Sequence, residues 1–157
     1  MDVMDEDLID FWRKLNNNNV RFIMVGGLAT RFYGYNRNTD DIDMWLEDTP
    51  ENRINLRNAF KELNYGDFPS IETMQFLPGW TSFHAAGIVL DIMTEMKGLE
   101  ALSFSECYNM SNIVSIEDVN IPFLHINHLI QNKKIVNRKK DQVDVEYLEK
   151  IKQLRKL

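Results

Sequence analysis

A single cysteine, Cys107, stands among the 157 residues, so the chain forms no internal disulfide and no cysteine-based zinc site. The three histidines, His84, His125 and His128, do not fall in a metal-ligating spacing and read as structural. No apolar run approaches the ~20 residues of a membrane span. The acidic opening Met1-Asp-Val-Met-Asp-Glu-Asp7 is unlike a secretory leader. A cytoplasmic protein with no membrane partner is therefore expected. No Ser/His/Asp or Cys/His constellation stands out, which disfavours covalent nucleophilic catalysis. No repeat or linker is visible, and 157 residues with 44% hydrophobic content suit one domain spanning residues 1–157.

Positive charge is scarce for most of the length. The net charge is −6, but residues 125–157 carry nine Lys/Arg against four Asp/Glu, while the preceding 124 hold nine against twenty. The acidic majority argues against tight non-specific nucleic-acid binding, which depends on neutralising phosphates. The basic C-terminal third would supply local phosphate contacts if it folds back onto the rest. Lys150, Lys152, Arg155 and Lys156 read as a solvated helix face.

Glycine is also sparse, seven in all, yet two are adjacent at Gly26-Gly27. The apolar run Val20–Val25 before them reads as a buried strand and Leu28–Tyr35 as a short helix. The pair thus sits at a strand-to-helix turn, where missing side chains let the backbone bend and a phosphate approach the amides. After thirteen intervening residues Asp41-Ile-Asp43-Met-Trp-Leu46 reads as a second strand. Side chains alternate along a strand, so Asp41 and Asp43 share a face and Ile42 and Met44 take the other. Gly87–Thr94 is another apolar strand with one acid, Asp91, costly unless it is paired or binds a metal. If this strand neighbours the one carrying Asp41 and Asp43, three carboxylates gather on one sheet face, where they repel one another unless a cation sits between them, and Mg²⁺ suits such an oxygen set.

Elsewhere, helical spacing covers Asp5–Asn17 with Leu8, Ile9, Phe11, Trp12 and Leu15 on one face. Thr49-Pro50 starts a helix to Asn64, expected to bury Ile54, Leu56, Ala59, Phe60 and Leu63. Strands are expected near Thr73–Leu77 and Thr81–Ala85, the latter joined to the Asp91 strand across Ala86-Gly87. A short helix at Ser103–Met110, strands at Ile113–Ile116 and Val119–Phe123, and two helices separated near Asn137 complete the chain. Trp12, Trp45, Trp80 and the eight methionines read as core or surface packing residues. The expected class is α+β: a mixed, mostly antiparallel twisted sheet of about five strands, with flanking helices and a C-terminal helical pair.

These residues resemble the nucleotidyltransferase superfamily that includes DNA polymerase β. Its pattern is an apolar residue, Gly-Gly or Gly-Ser, a spacer, Asp-apolar-Asp-apolar, and a later Asp in a strand. Gly26, Gly27, Asp41, Asp43 and Asp91 match it in order, with the spacer at the long end. Arg37-x-Thr39-x-Asp41-x-Asp43 is similar to a narrower version in bacterial single-domain nucleotidyltransferases of the abortive-infection toxin and antibiotic-modifying kinds. That group also carries a late Lys and Arg-x-Lys-Asp-x-x-Asp, matched here by Lys133 and by Arg138, Lys140, Asp141 and Asp144. The resemblance runs from about Val20 to Leu148.

The resemblance implies a nucleotidyltransferase fold and transfer of a nucleotidyl group from a nucleoside triphosphate. It assigns Asp41, Asp43 and Asp91 to Mg²⁺ or Mn²⁺ and catalysis. Gly26, Gly27, Arg37, Thr39, Lys133, Arg138, Lys140, Asp141 and Asp144 go to the nucleotide side. From the residues alone, helix-start electrostatics and ligand binding are equally good accounts of the last three, with Arg138. The acceptor stays open among RNA (transfer RNA in the toxin case), a small molecule and a protein hydroxyl. The alternative function is a non-catalytic or weakly catalytic partner-binding component of a toxin–antitoxin pair, binding a cognate antitoxin.

Overall fold

The computed structural model describes residues 1–85 and 87–157. Among the described residues six strands, β1 (Phe22–Val25), β2 (Asp41–Leu46), β3 (Ser82–Ala85), β4 (Ile88–Met93), β5 (Asn112–Ile116) and β6 (Val119–Phe123), form one open sheet in the order β3-β4-β2-β1-β6-β5, three neighbour pairs antiparallel and two parallel. This is the expected mixed α+β architecture, with six strands in place of about five. The sixth joins because one parallel contact, Met24 opposite Phe123, carries the β5–β6 hairpin onto the central strands.

Helix α1 (Glu6–Asn17) starts at Asp5, whose carboxylate accepts the Asp7 N–H, and buries all five apolar residues expected of it. Strand β1 (Phe22–Val25) is buried throughout. It runs into α2 (Gly26–Phe32), which begins two residues earlier than expected, so both glycines lie inside its first turn. Strand β2 (Asp41–Leu46) follows an irregular segment. Helix α3 (Pro50–Glu62) is capped by Thr49, whose hydroxyl accepts the Asn52 N–H. Leu56, Ala59 and Phe60 are buried and Leu63 partly so, whereas Ile54 is 44% exposed, against expectation. Asn52 takes the buried position instead, its amide bonding Arg21 and Glu47 carbonyls.

The strand expected at Thr73–Leu77 does not form. A 3₁₀ turn at Pro69–Glu72 precedes it, and the Arg53 guanidinium takes the carbonyls of Ile71 and Met74 while lying over the Phe76 ring. The outer side of β4 (Ile88–Met93) is already occupied by β3 (Ser82–Ala85). The turn expected between them lies partly outside the described residues. Helix α4 (Phe104–Met110) carries a Ser103/Glu106 capping box, and β5 (Asn112–Ile116) and β6 (Val119–Phe123) form a hairpin.

The C-terminal pair is α5 (Ile126–Val136) and α6 (Lys139–Arg155), parted by Asn137 at φ 56°, the left-handed conformation Asn tolerates as a helix stop. His125 caps α5 by accepting the Asn127 N–H, a structural role. Among the described residues, no helix is long and apolar enough to cross a membrane.

Candidate active site

Strands β2 and β4 run parallel with Asp43 opposite Asp91, and β1 places Val25 opposite Asp43. Period-two alternation then brings Asp41 onto the same face. One oxygen from each of Asp41, Asp43 and Asp91 lies within 4.8 Å of the others. The sequence-derived trio thus converges.

Each carboxylate is held differently. The Thr39 hydroxyl donates to Asp41 Oδ1 at 3.0 Å, and Ser82 Oγ donates to Asp91 Oδ1. Asp43 packs against Gly26: a Cβ there would fall 2.7 Å from Asp43 Cγ, and the Gly26 φ of +63° disfavours any side chain. A Cβ on Gly27 would lie 2.8 Å from Thr39 Oγ1 and 3.0 Å from an Arg37 nitrogen. The glycine pair therefore does more than bend the chain. It clears the space in which Asp43, Thr39 and Arg37 pack.

Gly26→Ala is accordingly expected to displace the Asp43 carboxylate and strain the turn. Divalent-ion binding, followed by calorimetry, should fall at least as far as in a variant lacking one of the three carboxylates. Wild-type affinity in Gly26→Ala would contradict this packing role.

Burial pushes the Asp43 carboxyl up to about 6, with the charges of Asp41 and Asp91 adding to the effect; Lys133 and Lys140 act in the opposite sense. A carboxylate so disfavoured in its ionised form is a ready ligand for a cation. Three hard oxygen donors leaving room for water and phosphate oxygens fit Mg²⁺ or Mn²⁺.

The trio opens into a cleft of about 290 Å³. Gly26, Gly27, Arg37, Lys133, Arg138, Lys140 and Asp141 line it as well, so most residues singled out from the sequence share one cavity. Thr39 and Asp144 do not line it. Both are buried behind the wall, and their observed contacts orient other site residues.

Asp144 is the hub of a charge cluster beneath the cleft. Its Oδ2 accepts from Lys133 Nζ and from Arg37 Nη1, each at 2.6 Å. Lys133, only 4% exposed, also lies 3.6 Å from Asp141 Oδ1. Arg138 binds Asp141 with its guanidinium and its backbone N–H. Burial alone would raise the Asp141 carboxyl, but Arg138 and Lys133 hold it below the usual carboxylate range. The two acids three residues apart on α6 thus fasten α5 and the Arg37 segment together. Tyr35 stacks on Tyr147 at 4.0 Å, a second clasp between that segment and α6.

The remaining wall has little signature in the sequence. Pro78, Gly79, Met93, Glu95, Met96, Lys97 and Asn132 line the cleft between β3, β4 and α5. Asn132 Nδ2 donates to the Lys97 carbonyl at 2.8 Å and ties this wall to α5. The Pro-Gly pair is the one usable signal, since such a dipeptide marks a turn.

Solved structures that resemble this chain in fold include those of three proteins. The first is a Thermotoga maritima protein assigned as a nucleotidyltransferase: TM-score 0.55, 19% identity, covering 95% of this chain and 88% of the other. The second is antibiotic-resistance factor ANT(2″)-Ia, in complex with adenylyl-2″-tobramycin: TM-score 0.57, 17% identity, covering 94% and 92%. The chain has the nucleotidyltransferase fold. An antigenic nucleotidyltransferase-like protein from Paracoccidioides brasiliensis is similar too, with TM-score 0.54, 14% identity and coverage of 94% and 73%. No family model matches the chain, and no curated protein matches it in sequence. At these identities the fold is what is shared, and the chemistry rests on this chain's own residues.

Proposed function

We propose that this protein is a metal-dependent nucleotidyltransferase that moves a nucleoside monophosphate from a nucleoside triphosphate to a hydroxyl of a small molecule. The observation that carries the reading is the convergence of Asp41, Asp43 and Asp91 on a cleft that also holds Lys133, Arg138 and Lys140, within the nucleotidyltransferase fold. Two observations favour a small acceptor over RNA. The first 124 residues are strongly acidic, and ANT(2″)-Ia, of the same fold, is seen with an adenylylated antibiotic.

Asp41, Asp43 and Asp91 would hold Mg²⁺ or Mn²⁺. The bound ion supplies charge at the phosphates and lowers the pKa of the acceptor hydroxyl. Lys140 is exposed at the cleft and meets triphosphate charge directly. Lys133, fixed by Asp144, adds a positive charge that cannot swing away. Arg37, Gly26 and Gly27 line the floor against which the phosphates lie, with Thr39 orienting Asp41. The acceptor oxygen forms a bond to the α-phosphorus as the bond to the pyrophosphate oxygen breaks. The hydroxyl proton passes to Asp91, and pyrophosphate leaves. Positioning and fixed charge account for the rate.

Lys140→Ala should weaken binding of the Mg²⁺–nucleoside triphosphate by about 1–3 kcal/mol in calorimetry, more at low salt than at high. Lys152→Ala and Lys156→Ala should change it little, since neither lines the cleft. If the three substitutions behave alike, Lys140 belongs to a solvated face and the phosphate side of this reading fails.

A further inference from the structure

Two of the three converging carboxylates accept a hydroxyl. Thr39 Oγ1 donates to Asp41 Oδ1 at 3.0 Å and Ser82 Oγ donates to Asp91 Oδ1, whereas Asp43 rests against Gly26. Thr39 belongs to the Arg37-x-Thr39-x-Asp41 pattern, but Ser82 belongs to no pattern in the sequence and does not line the cleft. Its contact is with Asp91 and not with the space a substrate would fill.

The position of Ser82 follows from the residues around it. Gly79 follows Pro78 at φ +73°, the pair a type II turn favours, and the Trp80 N–H closes that turn on the Leu77 carbonyl at 3.0 Å. The buried Thr81 locks it. Its hydroxyl accepts the Leu77 N–H at 2.8 Å, and its carbonyl accepts the Ile92 N–H at 3.0 Å. The chain thus enters β3 already in register with β4, and Ser82 comes opposite Asp91. Phe83 then decides the face. Its ring packs edge-on against Phe60 and Phe68, with centroids 5.0 and 5.7 Å away. Alternation turns Ser82 to the other side of the sheet, where the carboxylates are.

Asp91 needs such a partner. In the metal-free protein three carboxylates with oxygens within 4.8 Å of one another repel, and turning one side chain away relieves the repulsion. The Ser82 hydroxyl opposes that turn by holding Asp91 Oδ1. Asp91 Oδ2 has no hydrogen-bond partner among the described residues and is free to meet an ion or a proton.

We propose that Ser82 is a positioning residue for Asp91: it keeps that carboxylate converged on Asp41 and Asp43 before an ion arrives, so that binding needs no reorientation of Asp91. This inference rests on the metal-dependent reading above, to which it adds a residue, outside the cleft lining, that sets the affinity of the metal site.

The test titrates the 157-residue chain with Mn²⁺ alone, following free Mn²⁺ by electron paramagnetic resonance. Ser82 is exposed on an edge strand, so urea midpoints of its variants in EDTA should match the wild type. Ser82→Ala should bind Mn²⁺ about tenfold more weakly, as expected when the group behind a metal ligand is lost. Ser82→Thr keeps the hydroxyl on a residue that suits a strand and should stay within about twofold of wild type. In an Asp91→Asn background, Ser82→Ala should cause no further loss, because the hydroxyl acts only through that carboxylate. Equal Mn²⁺ affinity in wild type and Ser82→Ala overturns the inference and leaves the transferase reading intact. So does a loss of the same size in the Asp91→Asn background, or a Ser82→Thr as weak as Ser82→Ala. A wild type that binds no Mn²⁺ overturns the metal-dependent reading itself, and this inference with it.

Discussion

Asp43→Asn should abolish transfer and at the same time make the metal-free protein more stable. The folded Asp43 carboxyl titrates near 6 against 3.8 for an ordinary Asp, because burial and the charges of Asp41 and Asp91 oppose ionisation. The folded state therefore holds this proton more tightly than the unfolded chain. Below about pH 4 the group is protonated in both states and costs nothing. Between pH 4 and 6 the folded state increasingly carries a disfavoured charge, and above pH 6 the full cost is present, on the order of 3 kcal/mol. Asparagine has no such ionisation. Urea denaturation of the two proteins in EDTA should thus give equal stabilities near pH 4 and a gain for the variant that grows to its plateau above pH 6. Mg²⁺ with nucleotide should reverse the order, because only the wild type retains all three carboxylates. A variant less stable than the wild type at pH 7 in EDTA would mean that Asp43 is not the strained group of the trio.

Asp144→Ala should be the most damaging single substitution outside the apolar core. It removes the one carboxylate bonded to both Lys133 and Arg37, leaving the buried Lys133 ammonium with Asp141 at 3.6 Å. Breaking a buried pair from one side costs about 3–5 kcal/mol, and the lower end of that range is expected here because Lys133 keeps the longer contact to Asp141. Lys133→Met with Asp144→Leu should recover much of that loss, because both buried charges go together. The cycle of single and double variants, read by denaturant melts, isolates the coupling. A loss under about 1 kcal/mol for Asp144→Ala would place the cluster in the class of surface pairs.

The carboxylate face is legible in the sequence because strand periodicity is short-range. Asp41 and Asp43 must share a face whatever β2 packs against, and a lone Asp in the apolar Ile88–Met93 run is costly without a cation or partner. The Gly26-Gly27 turn is legible for the same reason, though the Asp43 carboxylate and the Arg37–Thr39 segment that fill its space are not. Partnerships across the chain are hidden. Arg37 and Asp144 lie 107 positions apart, and spacing alone gives no sign that Asp141 and Asp144 fasten Lys133 and Arg37. Family resemblance puts Thr39 on the nucleotide side, whereas its hydroxyl serves Asp41. The Thr73–Leu77 strand fails because Arg53 claims the carbonyls around it, a tertiary override of local β-propensity. Trp80 reads as core or surface packing because composition does not reveal exposure, and it is the most exposed large hydrophobic residue among those described.

The most direct measurement of the central claim is thermal melting of the wild-type chain with each nucleoside triphosphate, once in Mg²⁺ and once in EDTA. A ligand that binds only the folded state at ~100 times its dissociation constant stabilises it by roughly 2.7 kcal/mol. The carboxylate trio predicts that gain in Mg²⁺ for at least one nucleotide and none in EDTA. Equal gains in both, or no gain with any nucleotide in Mg²⁺, would contradict it.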